Sequence, residues 1–294
     1  MSKKKNNIEL TLVILNYNSQ FWLKKLLSSL KEHYLDQTKR EVKTIIVDNN
    51  SSDDSVAMLK KEFKWVELIE LEENIGFSAG NNVALKKIKS KYLMLLNNDI
   101  EFTEKSNLDP LLEFMDNNPK AGIVTPKLLL SNGQLDQACH RGEPTPWASF
   151  TYFIKLEKLF PKKKIFGQYH QSYKDFDKPH LIDACSGAAM LVRTSAMKKV
   201  GLLDERFFMY AEDLDWCKRF REMGFSIVYL PQVQIMHHKY KSGIKSESDR
   251  TSQKVRAHFY NTMMDYYDKH HRHNYPRIYR WLLRVFLFIK RGGW

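Results

Sequence analysis

The chain has 294 residues, 43% hydrophobic and 28% charged, which is enough to bury one large core and ordinary for a globular protein. Lys and Arg outnumber Asp and Glu by 47 to 34, and the resulting formal charge of +13 points to anionic partners: phosphorylated substrates, an anionic membrane surface or nucleic acid. The widely spaced Cys139, Cys185 and Cys217 argue against a disulfide framework or a thiolate zinc site and fit a reducing, cytoplasmic compartment.

Residues 1–7 read as a disordered basic start. The apolar run behind them, Leu10 to Leu15, is too short for a signal-peptide core, and no stretch reaches the roughly 20 apolar residues of a membrane span. Ile8 to Leu15 predicts a first strand that ends at Asn16-Tyr17-Asn18-Ser19. Trp22 to His33 follows with the apolar spacing of an amphipathic helix. Val42 to Val47 predicts a second strand, ending at Asp48-Asn49-Asn50, and a helix runs on to about Phe63. Val66 to Leu71 is a third strand, after which Asn74 to Asn82 leads into a helix reaching about Lys89. Tyr92 to Leu96 is the fourth, a continuous apolar run typical of a buried parallel strand, and it stops at Asn97-Asn98-Asp99.

This alternation predicts βαβ units and a mostly parallel sheet. One Asn/Asp strand ending reads as a turn. Three such endings on one edge read as a polar crevice, outside the carboxyl ends of the strands, for a ligand rich in hydroxyls and phosphates.

The middle is less regular: a helix from Leu108 to Asn118, a short strand from Ala121 to Thr125, and an aromatic and basic insert over 131–182. Ala188 to Val192 predicts a strand. Ala211 to Met223 predicts a helix opening on Glu212-Asp213-Leu214-Asp215, where the dipole favours acids, with Asp215 and Arg219 spaced as an (i, i+4) pair. Ile227 to Leu230 is a strand ended by Pro231. A basic extension over 246–294 predicts helices from Ser252 to Asp268 and Tyr279 to Lys290, with His270, His271 and His273 as a solvated helix end. The last helix is amphipathic, basic and aromatic, so it is expected to lie on an anionic membrane surface, or to dock on the core or on a second subunit of a homodimer.

In order, Val13–Asn18, Ile46–Ser51, Asn74–Phe77 with Gly80–Asn82, Ser186–Arg193, Gly201–Phe208 and Ala211–Trp216 resemble the family-2 glycosyltransferases, and within them the bacterial rhamnosyltransferase-like branch. The resemblance spans about Ile8 to Ser242. It implies an α/β, GT-A fold, with a mixed and mostly parallel sheet flanked by helices. The catalytic domain would cover 8–245, its nucleotide-binding half 8–102 and its acceptor half 183–245. The implied activity is inverting transfer of a sugar, rhamnose from dTDP-rhamnose, in bacterial surface polysaccharide synthesis. The partners would be a nucleotide-sugar donor and a saccharide or polyprenyl-diphosphate-linked acceptor.

On this resemblance Asp48 accepts a hydrogen bond from the donor's base, and Asn16 and Asn18 line the nucleotide pocket. Asn74, Gly76, Phe77 and Asn82 approach the donor on a loop entering a helix N-terminus, where glycine permits close approach and the helix end favours negative charge. Asn97-Asn98-Asp99 falls at the family's D-x-D signature with its first acid replaced. Asn97 and Asn98 then contact the donor, while Asp99 is left as the carboxylate for a divalent cation, Mn or Mg, one charge short. His237 is the second metal ligand, with His238 as its rival. Asp213 is implied as the base that deprotonates the acceptor hydroxyl, and Glu212 as the residue that positions acceptor or base.

Two other readings fit less of the chain. A sugar-nucleotide nucleotidyltransferase needs a glycine-rich basic loop after the first strand, where this chain has Asn16 to Gln20 without glycine. A nucleic-acid binder would gather its charge on one face, whereas here three strand ends are given to acids and amides, so no nucleic-acid partner is expected.

Overall fold

The computed structural model describes residues 8–239 and 249–291, with the side chains of 249–258 and 290–291 left aside. The basic start over 1–7 and the expected boundary near 245 lie outside the described residues. The strands are β1 (Leu10–Asn16), β2 (Val42–Asp48), β3 (Glu67–Glu70), β4 (Tyr92–Asn97), β5 (Ile100–Glu101), β6 (Ala121–Leu130), β7 (His180–Ile182), β8 (Ala189–Arg193) and β9 (Ser226–His237). They form one sheet in the order β3-β2-β1-β4-β8-β6-β9-β5, with β7 also paired to β9.

The first four strands are parallel, and their apolar runs are covered by helices on both faces, including Gln20–Leu30 and Phe77–Leu85. Leu12, Ile14, Ile46, Leu93 and Leu95 are essentially inaccessible; each such side chain contributes about 1.5–3 kcal/mol on burial. The register sets Asn16 beside Asp48 and Leu15 beside Asn97. The three polar strand ends therefore share one edge of the sheet, as their spacing predicts.

Direction reverses at β8, which runs antiparallel to both β4 and β6. Here the structure departs from the sequence reading, in which Pro126 and Pro231 close their strands. Both β6 and β9 run on, to Leu130 and His237. The pairing jumps from Pro126↔Leu230 to Lys127↔Gln234, so residues 231–233 bulge out of the ladder where Pro231 has no N–H to give. The extra length carries His237 opposite Ile100 of the short strand β5.

The 131–182 insert holds a 3-10 turn (Gln137–Cys139), the helices Pro146–Phe153 and Leu156–Leu159, and β7. The extension forms the helices Asp249–His270 and Arg277–Arg291. Among the described residues no helix is long and apolar enough to cross a membrane. Contrary to the expectation of a solvated helix end, His271 is buried and the side chain of His270 is largely covered. The His270 Nε2 and Lys269 Nζ atoms reach the Asp215 Oδ1 atom at 2.7 and 2.5 Å, while Arg219 donates to its Oδ2 atom at 2.8 Å, the (i, i+4) pair anticipated from spacing. Burial opposes the charge of Asp215, but His270, Arg219 and Lys269 hold its carboxyl down at about 2.

Asn82 also departs from expectation. It is buried in the helix Phe77–Leu85, donates to the Leu203 carbonyl and Glu205 Oε1, each at 2.9 Å, and accepts from the Leu203 N–H at 3.2 Å. It clamps the Gly201–Phe208 segment to the helix. Asn82→Ala should lower the unfolding free energy by about 1–3 kcal/mol, since it strands both Leu203 groups; an unchanged urea midpoint and slope would show that the clamp contributes nothing.

Candidate active site

A cavity of about 1600 Å³ lies between the carboxyl ends of the strands, the insert and the C-terminal helices. Single small-ligand pockets run to roughly 300–1,000 Å³, so this one has room for two substrates. Asn74, Gly76, Phe77, Asn97, Asn98, Asp99, Glu212, Asp213 and His237 all line it. Asn16, Asn18, Asp48 and Asn82 do not.

Asn16, Asp48 and Asn82 are committed within the fold, and Asn18 through its side-chain oxygen. Asp48 is buried, and its Oδ2 atom accepts from Asn16 Nδ2 at 2.9 Å and from the Ser51 hydroxyl at 2.7 Å, while Oδ1 takes the Ser51 N–H at 2.8 Å. Asn16 in turn accepts from Asn98 Nδ2 at 3.1 Å. Asn18, at φ 47°, accepts the Ser52 N–H at 2.7 Å and braces the first loop against the second. Asn49, which the sequence reading passed over, takes the cavity position instead. Its amide bonds the Asn74 side chain at 2.8 Å and the Ile75 N–H at 3.0 Å, fixing the loop that carries Gly76.

Gly76 has φ 87°, and a Cβ there would stand 2.6 Å from the Phe208 ring, so only glycine fits. The helix start behind it is partly spent: the Phe77 N–H donates to the Phe208 carbonyl at 2.6 Å. The expected anion-binding end is thus missing its first amide.

Asp99 and His237 come together because β5 pairs with β9, and the His238 N–H donates to the Asp99 carbonyl at 2.9 Å. His237 Nε2 lies 3.2 Å from Asp99 Oδ1, and its Nδ1 lies 2.8 Å from Asp136 Oδ2. Burial works against charging the imidazole, yet Asp136 and Asp99 outweigh it and raise His237 to about 9. Asp136 is itself held well below the usual carboxylate range, against burial, by His237 and Lys239. Two neighbouring ligands of an octahedral Mg or Mn ion at about 2.1 Å stand about 3 Å apart, so the Asp99–His237 spacing fits such an ion. Asp136 occupies the outer-shell position that orients a ligating histidine. His238 is engaged elsewhere, with Glu101 at 2.5 Å, Ser131 at 2.9 Å and the Trp22 ring, which favours His237 over its rival. Among the described residues no group of three or more His, Cys, Asp or Glu is arranged for a metal, so substrate phosphate oxygens would have to complete the shell.

The acidic pair enters the cavity at the head of the helix Glu212–Glu222. Tyr210 and Ala211, both at positive φ (70° and 67°), turn the chain into it, a strained conformation worth about 1–2 kcal/mol per non-glycine residue. Asp213 Oδ2 accepts from Arg141 Nη2 at 2.5 Å, and its Oδ1 accepts the Leu214 N–H at 2.7 Å. Arg141, which no sequence signal singled out, is positioned by backbone pairing with Ala184. Glu212 is buried, and its Oε2 atom has no hydrogen-bond partner among the described residues. Burial, and then the charge of Asp213, push its carboxyl up to about 8. At neutral pH Glu212 therefore keeps its proton.

Residues 11–201 match the model of Glycosyl transferase family 2. Over 273 residues the chain is 25% identical to an N-acetylglucosaminyl-diphospho-decaprenol L-rhamnosyltransferase of Mycobacterium tuberculosis, covering 89% of this chain and 85% of that protein. It is 26% identical over 243 residues to the rhamnosyltransferase WbbL of Escherichia coli, covering 77% and 82%. Among solved structures it resembles a mannosyltransferase of Pyrobaculum calidifontis in complex with GDP-Man and Mn2+, with a TM-score of 0.58 and 14% identity over 95% of this chain and 69% of that one. S. aureus TarS 1-349 is similar at a TM-score of 0.55 and 17% identity, and the chain spans 65% of its length.

The Glu212 carboxyl gives a pH signature. Because its folded value lies near 8 and its ordinary value at 4.5, the folded chain holds the extra proton across that window, and stability falls as pH rises through it. Glu212→Gln should match the parent near pH 4.5 and exceed it by on the order of 5 kcal/mol at pH 9. A pH-independent difference in denaturation midpoint would contradict the buried, protonated state.

Proposed function

The chain belongs to glycosyl transferase family 2, a glycosyltransferase with the GT-A fold, and from that premise we propose that it transfers rhamnose from dTDP-rhamnose, with inversion, to a polyprenyl-diphosphate-linked saccharide. The observation that carries the reading is one cavity, large enough for donor and acceptor, lined by both the Asp99–His237 pair and the Glu212–Asp213 pair. The sugar and the lipid-linked acceptor are supported by the two rhamnosyltransferases that it resembles. The setting proposed is the cytoplasmic face of a cell membrane, in the building of a surface polysaccharide.

The donor's diphosphate lies beside Asp99 and His237, with Asn97 and Asn98 as neutral contacts and the Asn74–Phe77 loop along the sugar. Asp99 and His237 would hold a divalent cation, which when bound would supply positive charge against the departing diphosphate. Asp213 is the base: a base must be unprotonated, which excludes the protonated Glu212, and Asp213 is the acid paired with the Arg141 guanidinium. Arg141 fixes Oδ2 and the Leu214 N–H holds Oδ1, whose second lone pair takes the acceptor's proton. The acceptor oxygen attacks the anomeric carbon as the bond to diphosphate breaks on the opposite face, which inverts the centre. Glu212, carrying its proton, donates to the acceptor and orients it. Positioning and preorganised charge supply most of the rate.

Asp213→Asn should reduce kcat by about 10²–10⁴-fold with donor affinity unchanged; near-normal turnover would remove Asp213 from the base role. Asp99→Ala should erase the gain in dTDP-rhamnose affinity that manganese gives the parent protein in calorimetry. Equal affinity with and without manganese in the parent would exclude the metal assignment.

A further inference from the structure

The outer end of the cavity is apolar and open. Its wall there comes from two elements distant in sequence, the insert helix Pro146–Phe153 and the C-terminal helix Arg277–Arg291, joined where the Phe153 and Phe286 rings meet at 4.5 Å. Phe150 and Ile154 on the first, and Leu282 on the second, line the cavity and are also about half exposed to solvent (50%, 49% and 49%). A side chain does both only at a mouth.

Beyond that rim the apolar surface continues. Ile278, Leu282, Val285 and Ile289 follow one another at i, i+4, i+7 and i+11, an exposed stripe on the side of the helix away from buried Leu287. On the insert, Leu159 and Ile165 are exposed as well. The charges around this surface have one sign. Arg277 and Arg284 flank the stripe, and Lys155, Lys158 and Lys162 to Lys164 are exposed on the insert. The helix Arg277–Arg291 contains no acid, and the sole acid between 144 and 167, Glu157, is buried against His170. A second copy packed symmetrically on this face would bring like charges together, at a cost. An anionic bilayer surface matches both the apolar stripe and the surrounding cations.

We propose that the insert and the C-terminal helix together form one bilayer-docking face with the cavity mouth in its plane. The lipid-linked acceptor then enters sideways from the membrane, its isoprenoid chain leaving past Phe150 and Leu282 while its saccharide reaches Glu212 and Asp213. The proposal rests on the lipid-linked acceptor assigned above, and adds a second docking element and a route of entry.

Leu159 and Ile289 test the face, because both are exposed and neither lines the cavity. The full chain should float with vesicles of phosphatidylglycerol and phosphatidylethanolamine and stay behind with pure phosphatidylcholine. Leu159→Asp and Ile289→Asp should each weaken that partitioning about tenfold, with the thermal shift on adding dTDP-rhamnose unchanged. Flotation without any donor-induced shift would support the docking face while removing the donor reading. Wild-type partitioning by Leu159→Asp would take the insert out of the face. A parent protein that never floats, or a dimer that Ile289→Asp dissociates, would assign the face to a second copy and overturn the proposal. The mouth is tested by Phe150→Cys labelled with an environment-sensitive fluorophore, since all three native cysteines are buried. Emission should shift to the blue on anionic vesicles, and an unshifted spectrum from vesicle-bound protein would overturn sideways entry.

Discussion

An unpaired carboxylate buried in a protein interior costs several kcal/mol, and this fold buries five at its polar strand ends and in the first turn of the helix Glu212–Glu222. Four are answered by specific donors, most of them remote in sequence. Asp48 takes the Asn16 amide and Ser51; Asp99 flanks an imidazolium shared with Asp136; Asp213 is held by Arg141; Asp215 gathers Arg219, Lys269 and His270. Each pairing ties two segments together: the first strand end to the second, β5 and the insert to the end of β9, the insert to the helix Glu212–Glu222, and the extension to that same helix. Glu212 is the remaining acid. With no donor at its Oε2 atom it settles the cost by keeping its proton.

That difference divides labour within the acidic pair. Two carboxylates side by side in a low-dielectric site raise each other's cost of ionising, and only Asp213 has a guanidinium beside it. A similar economy operates at Asp99. With Asn97 in place of an acid the proposed metal site lacks a charge, and His237 stands between two carboxylates that favour its protonated form. A divalent cation there would have to displace that proton, so cation and proton would compete for one position.

The strands and their common edge were legible in the sequence because a buried parallel strand leaves a continuous apolar run and a polar stop. So was the convergence of Asp99, His237, Glu212 and Asp213, once the resemblance supplied their roles. Three features were hidden, each for a physical reason. Proline reads as a strand end, yet β6 and β9 pass Pro126 and Pro231 because a bulge absorbs the missing N–H. Asn and Asp at a strand end look alike whether they face a ligand or the fold, and only the structure shows that Asn16 and Asp48 face each other, that Asn18 holds the Ser51–Ser52 loop, and that Asn49 faces the cavity. Asp136 and Arg141 belong to an insert with no periodicity, so nothing in its pattern marked them as partners of His237 and Asp213.

The C-terminal extension gains a meaning from these pairings that its amphipathic pattern alone could not give. Its first helix ends on Asp215, two residues beyond the proposed base, and after a short turn the second helix runs along the mouth of the cavity. Arg280 is bidentate to Asp268 at 2.6 and 2.7 Å, which fixes the angle between the two helices. The base, the cavity mouth and the exposed apolar stripe are therefore joined through one helical hairpin rather than a flexible tail. For an acceptor anchored in a bilayer this matters, because the height of the base above the membrane then decides which hydroxyl of the saccharide can reach it.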